Sequence, residues 1–236
     1  MLRALFILLA TAALAQAQAE DTPPPLQGTV TNGVYFAPTG TYKIEIPVLP
    51  ELGGAVHDTR NVVTFRDSFG LQISIGAFEH DATLKWQLST RGMKDYLIYF
   101  FSNFVLTDFR QFCPGTHIES AGFSSDLMDG SLFTYILLPG GSVFSDQLSF
   151  VPPGAPPVAK RGNMLFVKNG YTFVISTELS ERVTEGSRYS KTPEEENVIL
   201  RKRLQNIASN MVFLAAPAAA PGSSSAVGTA PAPAAK

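Results

Sequence analysis

Asn169-Gly170 stands between two arms rich in β-formers, Asn163 to Val167 and Tyr171 to Ser176. That pair supplies the two positive-φ residues of a type I′ turn, so this stretch is required to be a hairpin. The same period of two recurs elsewhere. Tyr42-Lys43-Ile44-Glu45-Ile46 alternates apolar and charged residues, and Val62 to Arg66 and Leu71 to Ile75 alternate as well. Asp67-Ser68-Phe69-Gly70 separates the last two and reads as a tight turn. His117 to Phe123 and Leu132 to Leu138 form another pair, joined across Asp129-Gly130.

Two segments depart from this period. Over 91–110, Met93, Leu97, Phe100 and Phe104 project onto one line at 100° per residue, while Arg91, Asp95 and Ser102 lie opposite. The stretch is expected to be a helix lying apolar face down on the sheet. Near the end, Thr192 is an N-cap, Pro193 takes the first helical position and Glu195 completes a capping box. Glu194, Glu195 and Glu196 suit the positive end of that helix, and its charged face reads as solvated surface. Leu200, Leu204, Ile207, Ala208 and Met211 form its buried stripe. Strand runs punctuated by helices at two points define an α+β chain, a central and mainly antiparallel sheet with helices packed on it.

The ends differ from this middle. Met1-Leu2-Arg3, the apolar run Ala4 to Leu14 and the small residues up to Ala19 have the parts of a secretory signal peptide. Cleavage is expected after Ala17 or Ala19, with a periplasmic or secreted destination. The apolar run is shorter than the ~20 residues a membrane span needs, so no integral span is expected in the mature chain. Residues 20–33 read as a Pro-rich linker, 34–213 as one globular domain, and 214–236 as a disordered Ala/Pro tail.

A formal net charge of -2 gives no basic field for nucleic acid. Cys113 is the only cysteine, so no intrachain disulfide forms and the fold rests on its apolar core, to which 17 Phe and 7 Tyr contribute. Cys113 itself reads as a small buried hydrophobe.

Motifs that carry chemistry are sparse. There is no G-x-S-x-G elbow, no S-x-x-K and no P-loop. The histidines are His57, His80 and His117; Cys113 and His117 lie four residues apart, short of the ligands a zinc site needs. Glu79-His80-Asp81 reads as a polar connection after a strand, because adjacent side chains on extended backbone diverge. No catalytic residue, metal or cofactor is therefore assigned. The long segment 139–161, rich in Pro and Gly, carries Phe144, Leu148, Phe150 and Val151, the expected anchors for an unidentified envelope protein. The expected role is a non-catalytic binding or assembly accessory. The alternatives are an envelope hydrolase with a scattered His-dependent site, or a small-ligand carrier.

Three stretches carry a family resemblance: Thr41 to Pro47, Asn61 to Asp67, and Phe166 to Ile175, with the closing helix to Met211. In wording and order of elements, residues 34–213 resemble the PsbP-like family, in its non-photosynthetic bacterial branch. That resemblance implies an α/β/α sandwich around an antiparallel sheet and a non-enzymatic accessory role. It carries over no functional residue.

Overall fold

The strands sort by where their alternation points. In the computed structural model, which describes residues 25–145 and 157–214, eleven strands form two antiparallel sheets. The smaller contains β1 (Thr29–Thr31), β2 (Val34–Phe36), β3 (Tyr42–Glu45) and β11 (Val212–Phe213), in the order β1-β2-β3-β11. The larger is built from β4 (Ala55–Asp58), β5 (Val62–Arg66), β6 (Gln72–Glu79), β7 (His117–Ser124), β8 (Ser131–Pro139), β9 (Val158–Lys168) and β10 (Tyr171–Glu178). Its order is β4-β5-β6-β10-β9-β8-β7.

The predicted turns hold these registers. Asn169 and Gly170 have φ of 50° and 79°, and Tyr171 pairs with Lys168 across them. Asp67 Oδ1 accepts hydrogen bonds from the backbone N–H groups of Phe69 and Leu71, 2.8 and 2.9 Å away. One boundary moves. Residues 20–33, read as a linker, contain β1, which returns into β2 through Asn32-Gly33, a second turn with both residues at positive φ. The Asp58 carboxylate then fastens this hairpin to β4, accepting from Gln27 N, Gly28 N and the Tyr35 hydroxyl at 2.7–2.8 Å.

The expected helix over 91–110 is longer and broken. Asp81 caps α1 (Ala82–Arg91), Gly92 at φ 75° separates it from α2 (Met93–Phe100), and a π turn at Phe101–Val105 leads into α3 (Leu106–Phe112). The π turn shifts the apolar stripe by one residue. Phe101, Val105, Leu106 and Phe109 thereby continue the buried line begun by Leu97 and Phe100. These helices cover Val62, Phe78, Leu132, Leu165 and Val174 on one face of the large sheet.

The opposite face presents Phe65, Ile73, Ile75, Phe133, Met164, Phe166 and Phe173. Over it lie α5 (Pro193–Asn210), through Leu200, Leu204 and Ile207, and the small sheet, through Tyr35, Tyr42 and Ile44. Phe173 shows the fit, stacked on Phe166 at 5.2 Å and met edge-on by Tyr42 at 5.9 Å. The α/β/α sandwich is present, with a β element sharing its third layer. The capping box of α5 forms as read, and a short helix α4 (Glu181–Thr184) precedes it.

Residues 1–19 lie outside the described residues, as does the tail from residue 215. Leu214 belongs to the domain: its N–H donates to Thr41 O at 2.8 Å. No helix among the described residues is long and apolar enough to cross a membrane.

Candidate binding cleft

The three histidines are dispersed by the topology. His57 is on β4 and His117 on β7, the two edges of the seven-stranded sheet, separated by about 29 Å at the usual strand spacing. His80 is buried at the end of β6. Its Nε2 lies 2.7 Å from Thr172 Oγ1 and 3.1 Å from the Tyr96 hydroxyl, which is 2.6 Å from Thr172 Oγ1. Burial, and then the charge of Lys85, lower the His80 pKa against an opposing pull from Asp81. An imidazole beside a hydroxyl is the beginning of a nucleophile–base pair. Here Tyr96 closes the pair into a triangle inside the core.

Cys113 is buried, its thiol donating to Pro139 O at 3.0 Å, whereas His117 is exposed. In Glu79-His80-Asp81 the three side chains diverge: Glu79 is exposed, His80 buried, and Asp81 engaged as the α1 cap. Among the described residues no group of three or more His, Cys, Asp or Glu is placed to hold a metal ion.

The predicted apolar loop requires a correction. Val158 to Arg161 are the start of β9, with Lys160 and Arg161 buried, so the connection is shorter than 139–161. Phe144, expected as an exposed anchor, is 0% exposed. The Arg66 guanidinium lies 5.5 Å from its ring centroid and donates to Val143 O. Ser142 Oγ and Val143 N both donate to the Glu178 carboxylate, which also takes two hydrogen bonds from Arg161. Charged groups under the sheet end therefore draw residues 142–144 inward, and Phe144 follows. Leu148, Phe150 and Val151 lie outside the described residues.

What the structure does expose is a cleft of about 970 Å³ between β3, the β5–β6 turn, α4 and α5. Its apolar lining includes Ile44, Ile46, Leu71 and Val212. At its rim Phe69 is 75% exposed. The Asp67 side chain holds the backbone of that turn, and Gly70, at φ 109°, packs so closely on Ser180 that a Cβ there would stand 2.5 Å from Ser180 Oγ. With its backbone fixed on both sides, Phe69 projects outward.

A 3-10 turn at Pro50–Leu52 leans on the same corner, since Ser68 N donates to Leu52 O at 3.2 Å. It adds Leu49 and Leu52, 57% and 38% exposed. On the opposite wall Glu181 is paired with Arg203. Burial alone would raise the Glu181 carboxyl, but hydrogen bonds led by Arg203 outweigh it and hold the group below the usual range. That wall is thus internally neutralised. Finally, β11 pairs only with Tyr42 and Lys43, so on that edge of β3 the backbone of Glu45 is left beyond it, while Ile44 and Ile46 face β2, Ile46 N donating to Gly33 O at 2.8 Å. Sequence reading marked the Asp67–Gly70 turn but missed the cleft, although an aromatic in the middle of a tight turn was a usable sign.

No protein-family model and no curated protein matches the chain. Solved structures similar to it include three of quite different origin. Cyanobacterial PsbP from Synechocystis sp. PCC 6803 is 13% identical, with 77% of this chain and 91% of that one covered and a TM-score of 0.44. The Ran-binding protein Mog1p of Saccharomyces cerevisiae is 9% identical, with 79% and 97% covered and a TM-score of 0.46. A protein of Bacteroides thetaiotaomicron is also 9% identical, with 77% and 48% covered and a TM-score of 0.37. The chain thus bears a weak structural likeness to PsbP.

Proposed function

We propose that this protein is a non-catalytic binding or assembly module of the cell envelope, and that it holds an extended apolar segment of a protein partner in the cleft beside Phe69. The observation that carries this reading is the exposure of Phe69, fixed outward by the Asp67 turn, with the exposed Leu49 and Leu52 on the 3-10 turn hydrogen-bonded to it through Ser68 N and Leu52 O. An apolar cluster rimming a concave site is what an interaction surface requires, and a buried aromatic is its commonest anchor. Beside β11, the backbone N–H and C=O of Glu45 add one donor and one acceptor that a partner chain can meet. The envelope destination rests on the export signal read at residues 1–19.

Leu148, Phe150 and Val151 stand as a second proposed contact, carried by their apolar run in a Pro/Gly-rich connection. Phe144 is withdrawn from that set because its own domain buries it. The test is affinity capture of the tagged mature protein from its native envelope. Intact chain, Leu49→Ser/Phe69→Ser and Leu148→Ser/Phe150→Ser are compared, each with an unchanged unfolding midpoint. Loss of one defined partner in the first variant supports the cleft. Retention there, with loss in the second, moves the site to the loop. A partner retained by both overturns the proposal.

A further inference from the structure

The helix-facing side of the large sheet is apolar beneath α2, but its register sets a row of polar side chains alongside. Thr64 pairs with Ser74, Ser74 with Ser176, Ser176 with Asn163, and Asn163 with Thr134. These five residues line up straight across β5, β6, β10, β9 and β8, and all but Thr64 are at most 1% exposed. Gln72, two residues from Ser74 on the same face, is buried as well.

The outer parts of the row are satisfied internally. Thr64 Oγ1 and Ser74 Oγ are 3.0 Å apart, Gln72 Nε2 donates to Ser74 Oγ at 2.8 Å, and Asn163 Nδ2 donates to Thr134 Oγ1 at 3.3 Å. The centre is not. Gln72 Oε1, Ser176 Oγ and Asn163 Oδ1 are buried with no hydrogen-bond partner among the described residues. They sit on three adjacent strands with Ser176 on the middle one, β10. Buried polar atoms in native proteins are almost always paired, by protein or by ordered water.

We propose that this seam is a binding site for one buried water molecule, held by Gln72, Ser176 and Asn163. The chemistry of the three atoms selects it. Two amide oxygens accept only, and a serine hydroxyl both donates and accepts. Water donates to both oxygens and accepts from the hydroxyl, which makes the three bonds usual for an internal water. Turning Ser176 directly onto Asn163 Oδ1 is the competing arrangement, and it strands Gln72 Oε1 in the core.

A crystal structure of the domain at about 1.5 Å decides between them. The site predicts one density peak within hydrogen-bond distance of all three atoms. Side-chain density showing Ser176 bonded straight to Asn163, with no peak between the strands, overturns it. In solution, water ¹⁷O relaxation dispersion is compared between the intact protein and Ser176→Val, which removes the hydroxyl that the water would accept from. Loss of one long-lived water is expected, and identical dispersions contradict the site. Should Ser176→Val fail to fold, the crystal structure of the intact protein still gives the answer.

Discussion

Lys160 Nζ lies 2.9 Å from Glu196 Oε2 with both side chains withdrawn from solvent, so β9 and α5 are joined by a buried charge pair. Arg182 completes the Glu196 carboxylate with bonds of 2.7 and 2.9 Å, and Glu119 on β7 reaches Lys160 from the other side. Such a cluster is costly to break because each removed partner leaves a charge in a dry environment. Glu196→Leu is therefore expected to lose about 3–5 kcal/mol, read from urea denaturation. Lys160→Met/Glu196→Leu should lose less than the sum of the two single changes, and an additive double variant would contradict the pairing.

The same carboxylate predicts a pH dependence. Burial works to raise its pKa, but hydrogen bonds from Lys160 and Arg182 outweigh it and lower the group below its ordinary value. Its contribution to stability is full above the ordinary carboxylate range and fades as pH falls through the folded pKa. Acid unfolding should begin at higher pH in Arg182→Met, which removes one of the stabilising donors.

His80 titrates in a higher window. Its folded pKa is lowered by burial, so between that value and about 6.5 the unfolded chain binds a proton that the folded one refuses. Stability rises with pH across this window, by at most about 1.4 kcal/mol per pH unit for a single proton. Between pH 5.5 and 7.5 the denaturation midpoint should move further toward higher stability in the intact protein than in His80→Gln, which keeps only the opposing slope of Asp108; equal changes in the two would contradict the assignment.

Asp108 acts in the opposite sense. It is buried on α3, its Oδ2 has no partner among the described residues, and burial pushes its carboxyl from 3.8 up to about 7. The folded state then holds a proton that the unfolded state releases, so stability falls as pH rises between about 4 and 7. Asp108→Asn should be the more stable form at pH 8 and should remove that slope. A variant less stable than the parent at pH 8 would show the carboxylate to be paired.

Gly162 tests how closely α5 lies on the sheet. A Cβ there would stand 3.0 Å from Leu200 Cβ and 3.1 Å from Leu204 Cδ1. Gly162→Val must displace the helix and is expected to cost about 1–3 kcal/mol in urea denaturation. An unchanged midpoint would mean that the helix yields freely.

Much of this architecture could be read from residue pattern, because alternation and turn chemistry are local. Asn169-Gly170, Asp67 to Gly70 and the Thr192 capping box behave in the fold as they do on the page. Asn32-Gly33 carried the same signal, but the strand before it has exposed side chains throughout and no alternation to announce it. The division into two sheets is not local at all: Tyr42–Glu45 and Val62–Arg66 alternate alike, yet they pair in different sheets.

Charge was the hardest to place. Lys160 and Arg161 are adjacent beside a Pro-rich run, and only their partners Glu196 and Glu178 reveal that they enter opposite faces of the sheet. Glu196 likewise reads as one of three acidic residues suited to a helix start, although it is fully buried. The cleft assembles from β3, the β5–β6 turn, α4 and α5, which no stretch of sequence brings together.

The most direct test of the cleft as the binding surface is photo-crosslinking in the native envelope from a photoreactive phenylalanine at position 69. Position 198 serves as the control, since Val198 is 68% exposed on α5 but does not line the cleft. A single defined protein crosslinked from position 69 and not from 198 is the predicted result. Equal yields from both positions, or a product from 198 alone, would contradict it.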